Sequence, residues 1–265
     1  MIKILGKIEL PPTERRINFD LYKIKLEKYL AQMSQEINQE YGDFLEVDGS
    51  IKMENISELD QKIISSQEES WARDEGKTVD GWKESRGKNP ATMAELAVSV
   101  LLHKAIGDKF IIARASKFDD YQNGVDNVLI DRENGNIVCG FDEVLGREGN
   151  DGSEKKKLKL MREAERGGIN IRYGATIEKG ELKRKSFRNI PAFYLGLSKD
   201  ELGKTLESLD KDAEMSESEK LVLNKLFVSL ETQINDLENN ENVRDANLKR
   251  NLANFKDSLA KMMLK

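Results

Sequence analysis

The chain has one cysteine and one histidine among its 265 residues, and their scarcity excludes several kinds of site. Cys139 has no partner for an internal disulfide, so the sequence predicts a protein of the reducing cytoplasm. His103 is the only imidazole, which argues against histidine-rich zinc sites and Ser–His–Asp triads, and we expect it to be a packing residue. Catalysis in this chain would therefore use carboxylates, lysines and, where one binds, a metal ion.

Long apolar runs are missing as well. No stretch of about 18 apolar residues is present, so we expect no membrane span. The N-terminal segment MIKILGKIELPPTERR has too short an apolar part, followed by too much charge, for a secretory signal. Charged residues make up 34% of the chain and hydrophobic residues 38%, which is typical of a soluble, helix-rich protein with large solvated faces.

The net charge of −5 conceals an uneven distribution. Residues 155–188 contain twelve Lys or Arg and four Asp or Glu, a local charge of +8 that leaves −13 for the rest of the chain. A single basic segment on an acidic protein is typical of a phosphate-binding face. A solvated helix followed by a charged hairpin would explain the same pattern equally well.

We divide the chain into three segments: an N-terminal helical region at residues 1–88, a mixed-sheet core at 89–197 and a C-terminal helical tail at 198–265. In the first segment the pattern predicts a short strand at 1–12 and one long helix at 13–44, because apolar residues recur at steps of three or four. The polar stretch that follows predicts a short helix at 57–69. Its two tryptophans, Trp71 and Trp82, are interpreted as packing anchors rather than a binding platform.

Asn89-Pro90 is typical of a helix start, with Asn as the cap and Pro at the first helical position. The predicted helix, residues 91–107, is apolar nearly all round and should therefore be buried. Glu95 interrupts this apolar surface on the same face as Ser99 and His103. A carboxylate that reaches the rim would explain it, but we favour one that points across a sheet toward a metal ion.

Two apolar, β-branched runs at 124–130 and 137–144 predict neighbouring strands. Asn134-Gly135 between them predicts a tight hairpin turn, because both residues tolerate positive φ. Buried carboxylates repel one another unless a cation lies between them, and a divalent metal ion is the usual one. The acids that this hairpin should bring together are Asp126, Asp142 and Glu143.

The rest of the chain predicts further helices and strands. Before the hairpin we expect a strand at 109–116 and a loop that carries Asp119 and Asp120, whose spacing does not match a helix–loop–helix calcium site. The elements expected after the flexible loop at 145–153 are a helix at 154–166, strands at 169–178 and 181–195 with an edge or a break at Pro191, and helices at 199–209, 216–238 and 242–264. The expected inner residues of the helix at 154–166 are Leu158, Met161 and Ala164.

From residue 90 to 195 the predicted order is helix–strand–strand–strand–helix–strand, with Glu95 on the first helix, Asp126 on the second strand and Asp142-Glu143 on the third. This order resembles the PD-(D/E)xK nuclease superfamily. The resemblance implies an α/β (α+β) fold with a restriction-endonuclease-like αβββαβ core, here flanked by a long N-terminal helix and a C-terminal helical tail. The blocks RASKFDDY, NGVDN, FDEV and RYG also resemble those of other bacterial proteins, a similarity that implies no activity.

The resemblance also implies roles for individual residues. Asp126 matches the family's first Asp, Glu95 its helix Glu, and Asp142 or Glu143 its acidic position on the next strand. The family's lysine should follow two residues later, where Val144 or Leu145 stands. Some members supply this lysine from the following helix, and the expected substitutes in this chain are Lys157 and, behind it, Lys155 and Lys156.

Successive side chains of a strand point to opposite faces, so Asp142 and Glu143 cannot both face one metal ion unless the strand bulges. Gly140 leaves room beside Asp142, whereas Glu143 shares its face with the bulkier Cys139 and Phe141. We therefore prefer Asp142 as the ligand, with the backbone carbonyl of Glu143 as a further oxygen.

The resemblance implies metal-dependent phosphodiester hydrolysis of DNA or RNA with Mg²⁺ or Mn²⁺. Glu95, Asp126 and Asp142 would hold the metal, and with Glu143 and Lys157 they form the expected catalytic set. The residues expected to contact the nucleic acid are Lys155, Lys156, Arg172, Lys183, Arg184, Lys185 and Arg188.

Two other functions remain open at the level of sequence. One is a nuclease scaffold that has lost catalysis with its in-strand lysine and that binds nucleic acid or a protein. The other is an assembly protein, in which the long N-terminal helix and the C-terminal helices drive formation of a homodimer.

Overall fold

The computed structural model describes residues 19–146, 151–209 and 214–263. Within these ranges the protein has a mixed α/β fold of nine helices, one four-stranded sheet and one two-stranded sheet. The strand expected at 1–12 and the beginning of the helix expected at 13–44 lie outside the described residues.

The order of elements follows the prediction apart from a helix at Val79–Arg86 that was not predicted and two corrections that are described below. The helices are α1 (Phe19–Tyr41), α2 (Glu58–Asp74), α3 (Val79–Arg86), α4 (Pro90–Ile106), α5 (Lys117–Asn123), α6 (Asp151–Glu165), α7 (Lys199–Ser208), α8 (Glu217–Glu238) and α9 (Ala246–Met263). The strands are β1 (Phe110–Arg114), β2 (Asn127–Asp131), β3 (Ile137–Leu145), β4 (Ile169–Glu178), β5 (Glu181–Ile190) and β6 (Ala192–Leu197).

Helix α4 is the central helix of the fold, as its apolar sequence predicts. The Asn89 side chain accepts a hydrogen bond from the backbone N–H of Ala91, and Pro90 occupies the first turn. Met93, Leu101 and other large side chains of α4 are almost fully buried against α1 and the main sheet. Each such side chain contributes about 1.5–3 kcal/mol of hydrophobic stabilisation.

The main sheet has the strand order β1–β2–β3–β6. β2 pairs antiparallel with both β1 and β3, and β3 pairs parallel with β6. The β2–β3 hairpin confirms the predicted pairing, but its turn is not the expected one. Gly135 alone has positive φ there, at 70°, whereas Asn134 does not.

The two faces of this sheet pack against different helices. On β3, Phe141 and Glu143 point to the face covered by α4 and α9, since Phe255 of α9 lies 6.3 Å from Phe141 between ring centroids. The opposite face carries Gly140 and Asp142. A Cβ on Gly140 would lie 2.9 Å from Val125 and 3.1 Å from Ile169 of β4, so this face is closed by β4 and, beside Asp142, by α6.

The prediction that all of residues 181–195 pair with 169–178 is wrong, because Pro191 divides this stretch into β5 and β6. Pro cannot donate a ladder hydrogen bond, and the chain changes sheets there. β5 pairs with β4 in the small sheet, and β6 leaves to join β3. The break expected at Pro191 is thus confirmed, and it places β6 beside the strand that carries Asp142.

The prediction of a loop around Asp119 and Asp120 is also wrong, because these residues lie on the short helix α5. Ser116 caps it by accepting from the N–H of Asp119, and Gly124 ends it with φ 63°. Both are recognisable helix-end signals, but the seven-residue segment between them is mostly polar, which concealed the helix.

The outer segments share the hydrophobic cluster of the sheet. Buried residues of α1, α4, α7, α8 and α9 belong to the same cluster as those of β1, β2, β3 and β6. Gln233 of α8 accepts from the backbone N–H of Tyr194 and donates to its carbonyl, which covers the free edge of β6. No helix in the described part of the chain is long and apolar enough to cross a membrane.

Candidate active site

Asp126 lies at the entry to β2 and is fixed by three hydrogen bonds. Its backbone N–H donates to the carbonyl of Phe141 (2.8 Å), and its own carbonyl accepts from the N–H of Ala115 (2.9 Å). Its carboxylate accepts from the backbone N–H of Glu143 (2.8 Å). The hairpin therefore brings Asp126 directly beside the Asp142-Glu143 pair, as the sequence predicts.

Asp142 is 5% exposed and faces α6, where the Lys156 ammonium contacts its carboxylate. The same ammonium donates to the backbone carbonyl of Glu143 at 2.7 Å. Burial raises the pKa of Asp142 to about 6; Lys156 opposes this effect and Asp126 adds to it. Burial alone would lower the pKa of Lys156, but the neighbouring Asp142 outweighs it and the pKa of Lys156 is raised.

Glu143 points to the opposite face and is 4% exposed. Its Oε1 accepts from the amide of Asn127 (2.8 Å), whose own oxygen accepts from the Ser99 hydroxyl on α4 (2.8 Å). Its Oε2 is buried and has no hydrogen-bond partner among the described residues. Burial and the nearby Asp126 raise the pKa of Glu143 well above its usual value. A buried carboxyl oxygen without a partner is costly, and a bound cation would relieve the cost.

Glu95 lies on α4 one turn before Ser99 and is only partly exposed. Burial, followed by the charge of Asp126, raises the pKa of Glu95 to about 8, with Arg114 acting in the opposite direction. The effect of Asp126 indicates that Glu95 lies near the same cluster. That Glu95 points toward a metal ion stays a prediction.

Asp120 is a further carboxylate of this cluster, and we did not identify it as a site residue from the sequence. Burial and Asp126 raise the pKa of Asp120 to about 6, opposed by Arg86 and Arg114. Its neighbour Asp119 has a structural role, since its fully buried carboxylate accepts from the backbone N–H groups of Arg172 and Tyr173. Two adjacent acids on a helix point in different directions, so the placement of α5 in the fold decides which of them faces the cluster and which has a structural role.

Lys157, the lysine expected at the site, does not reach it. Its ammonium lies 3.6 Å from a carboxylate oxygen of Asp236 on α8. The facing of α6 that we derived from the sequence is wrong: Leu158 is 54% exposed, whereas Leu160 and Ala164 are each 6% exposed. Lys156 lies one turn before Leu160 on the buried face, which explains why it contacts Asp142.

The predicted nucleic-acid-binding residues do not form one free basic surface. Arg172 lies 2.9 Å from a carboxylate oxygen of Asp60, and Arg184 donates to the backbone carbonyls of Lys52 and Glu54. Lys156 is half-buried at the carboxylate cluster, and the other four members are exposed residues with separate surroundings. Lys155 lies on α6, Lys183 pairs with Glu181, Lys185 lies over the Phe187 ring, and Arg188 lines a cleft of about 390 Å³ next to α9.

The fit of the site to a metal ion rests on its oxygen donors. Within residues 19–146, 151–209 and 214–263, no group of three or more His, Cys, Asp or Glu side chains has the geometry to hold a metal ion. However, the Asp142 carboxylate and the Glu143 carbonyl already converge on one cation, the Lys156 ammonium. Carboxylate and carbonyl oxygens are hard ligands suited to Mg²⁺ or Mn²⁺, so the chemistry of the donors fits such an ion.

Comparisons with known proteins add no further information, since no family model, no curated protein and no solved structure matches this chain.

Proposed function

We propose that this protein is a nuclease that uses Mg²⁺ or Mn²⁺ to hydrolyse phosphodiester bonds of nucleic acid. One observation carries the proposal: the Lys156 ammonium contacts both the Asp142 carboxylate and the Glu143 carbonyl, beside Asp126. A lysine adjacent to paired acids and a backbone carbonyl is an arrangement suited to stabilising an attacking hydroxide and a charged phosphate.

The topology supports a restriction-endonuclease-like core. The elements α4, β1, β2, β3, α6 and β6 follow one another in the order αβββαβ, with α5 and the β4–β5 hairpin as insertions. The acids occupy the elements that the resemblance implies, with Glu95 on α4, Asp126 at the start of β2 and Asp142 on β3. The helix-borne Lys156 stands in for the lysine that Val144 replaces on the strand.

Asp126, Asp142 and the Glu143 carbonyl would hold the metal, with Glu95 at the rim. The metal would supply Lewis-acid chemistry by polarising the phosphate and lowering the pKa of a bound water. With such an ion bound, the Asp142 carboxylate would attract Lys156 less strongly. The Lys156 ammonium would then stabilise the negative charge that develops on the phosphate.

The test is cleavage of labelled single-stranded and duplex DNA and RNA in Mg²⁺ or Mn²⁺. Asp126→Asn keeps an oxygen to accept from the Glu143 N–H but removes the charge, so we expect cleavage to fall about 100-fold or more. Lys156→Met should cause a similar loss, whereas the adjacent Lys157→Met should retain wild-type cleavage. Equal activities in all four proteins, or a wild type that cleaves none of the substrates with either metal, would contradict the proposal.

A second candidate function is a nuclease scaffold without catalysis that binds nucleic acid or a protein. The Lys156–Asp142 contact favours it, because this contact neutralises a buried acid without any metal ion.

The low cysteine count supports a cytoplasmic location for either function. The exposed Leu221 and Val228 on α8, 71% and 48% exposed, support a homodimer formed through the C-terminal helices.

A further inference from the structure

Arg86 ends helix α3, which lies outside the αβββαβ elements, yet its guanidinium lies beside the carboxylate cluster. Nη2 of Arg86 is 3.5 Å from Oδ2 of Asp120. Its positive charge opposes the raised pKa values of both Asp120 and Glu95. A segment that the core does not require thus delivers a cation to the rim of the proposed active site.

Three aromatic rings fix the position of this guanidinium. The guanidinium carbon lies 5.6 Å from the Trp71 ring centroid, 5.5 Å from that of Trp82 and 5.5 Å from that of Tyr121. The rings also hold one another, since Trp71 stacks on Trp82 at 5.5 Å and meets Tyr121 edge-on at 4.8 Å. Because the rings restrict its rotamers, Arg86 would lose little conformational entropy on binding a ligand.

The guanidinium is also accessible, because the Arg86 side chain is 31% exposed. Within the described part of the chain, Asp120 is the only acid that Arg86 contacts, and the contact is long for an ion pair. A guanidinium has five N–H donors in a planar fork that matches two oxygens of a phosphate. A contact with aromatic rings would require only a positive charge, which a lysine would also supply. Packing against the rings therefore does not explain why a planar guanidinium with several N–H donors is present here.

The basic hairpin is less suited to this role. Arg184 is held by the carbonyls of Lys52 and Glu54, and Arg172 is held by Asp60, so both tie the hairpin to the N-terminal region. Their guanidinium groups already have oxygen partners. A phosphate at the carboxylate cluster would instead meet the cations at its rim, which include Arg86 on α3 and Lys156 on α6.

We propose that Arg86 binds a non-bridging phosphate oxygen of a nucleic-acid strand, which therefore crosses the α3–α5 side of the carboxylate cluster. This inference deepens the proposed nuclease function and rests on it. The negative phosphate would replace the Asp120 contact, while the three rings keep the guanidinium in place. Residues 58–86, which form α2 and α3, would then serve to position a substrate contact next to the reaction centre.

The experiment compares Arg86→Lys and Arg86→Gln with Arg250→Gln as the matched control. Arg86→Lys keeps a positive charge over the rings but removes the planar fork, so we expect it to retain the wild-type melting temperature. Arg250 is an exposed residue of α9 whose guanidinium contacts Asn247, so its substitution removes the same charge elsewhere on the surface. Cleavage is measured as KM and kcat with a mixed-sequence 20-nucleotide strand in Mn²⁺, and binding by anisotropy of the same labelled strand in the Asp126→Asn background.

Loss of one charge-assisted phosphate contact should raise KM and the dissociation constant about tenfold or more in both Arg86 variants, with a smaller change in kcat. In Arg86→Gln, which also removes the charge, the slope of log K against log salt should become shallower by about one ionic contact, while Arg250→Gln matches the wild type. Unchanged binding in the folded Arg86→Lys variant, or unchanged salt dependence in Arg86→Gln, would overturn the inference even if cleavage is normal. If the wild type cleaves nothing, the nuclease proposal fails, and the binding data alone then decide whether Arg86 contacts phosphate.

Discussion

The ion pair between Lys104 and Glu219 joins α4 to α8 and is almost completely shielded from water. The two side chains are 8% and 0% exposed, and Nζ of Lys104 lies 2.7 Å from Oε1 of Glu219. The other carboxylate oxygen, Oε2, accepts from the backbone N–H of Ser216 at 2.7 Å and so caps α8. Replacing Lys104 by Met would leave this buried carboxylate with a backbone donor but no countercharge.

Removing one partner of a buried ion pair costs about 3–5 kcal/mol. Because Ser216 continues to satisfy one oxygen of Glu219, we expect the lower end, about 3 kcal/mol, for Lys104→Met. For a chain of this length about 1 kcal/mol corresponds to about 2 °C, so the melting temperature should fall by about 6 °C. Urea unfolding followed by circular dichroism measures the change in the free energy of unfolding directly.

The matched control is Lys220→Met, which breaks an ion pair on the same helix. Lys220 and Glu217 are 57% and 86% exposed, so their pair should contribute less than about 1 kcal/mol. The double variant Lys104→Met with Glu219→Gln keeps an acceptor for the Ser216 N–H without the buried charge, and it should recover most of the lost stability. Equal losses for Lys104→Met and Lys220→Met would refute the argument from burial.

Two further predictions follow from the site and from the surface of α8. Saturating Mn²⁺ should raise the melting temperature of the wild type by several degrees, because an ion at about 100 times its dissociation constant stabilises the folded protein by about 2.7 kcal/mol. No shift in the wild type, or an equal shift in Asp126→Asn, would contradict a carboxylate metal site. Light scattering should give twice the 30.1 kDa of one chain for the wild type and a lower molar mass for Leu221→Lys, whereas a monomeric wild type would contradict the homodimer.

The elements that sequence analysis located well have strong local signals. Asn89-Pro90 marks the start of α4 to the residue, and two apolar, β-branched runs give β2 and β3 within about three positions. The packing role expected for the tryptophans is confirmed, with Trp82 only 4% exposed and stacked on Trp71. Because the hairpin follows from these local signals, the proximity of Asp126 to Asp142 and Glu143 could be predicted too.

The residues that sequence analysis missed depend on how a helix is rotated against the sheet. The run EKKKLKLM in α6 offers two apolar stripes, one through Leu158 and one through Leu160, and the sequence alone cannot select between them. Packing buries Leu160, which turns Lys156 toward Asp142 and Lys157 toward Asp236. Asp120 and Arg86 were also missed. They lie on different helices, α5 and α3, and only tertiary packing brings them together.

The lysine of the site, Lys156, comes from helix α6 and not from strand β3, so its position depends on how α6 packs. A lysine two residues after Asp142 would share its face of the strand automatically, because side chains on a strand alternate with a period of two. Val144 occupies that position, and Lys156 reaches Asp142 from α6 because the burial of Leu160 and Ala164 fixes the rotation of this helix. The ammonium also binds the Glu143 carbonyl, so its location is tied to the main chain of β3 and not to one carboxylate alone. The cluster therefore acquires its cation through tertiary packing, and substitutions that loosen α6 would remove the lysine while leaving every acid in place.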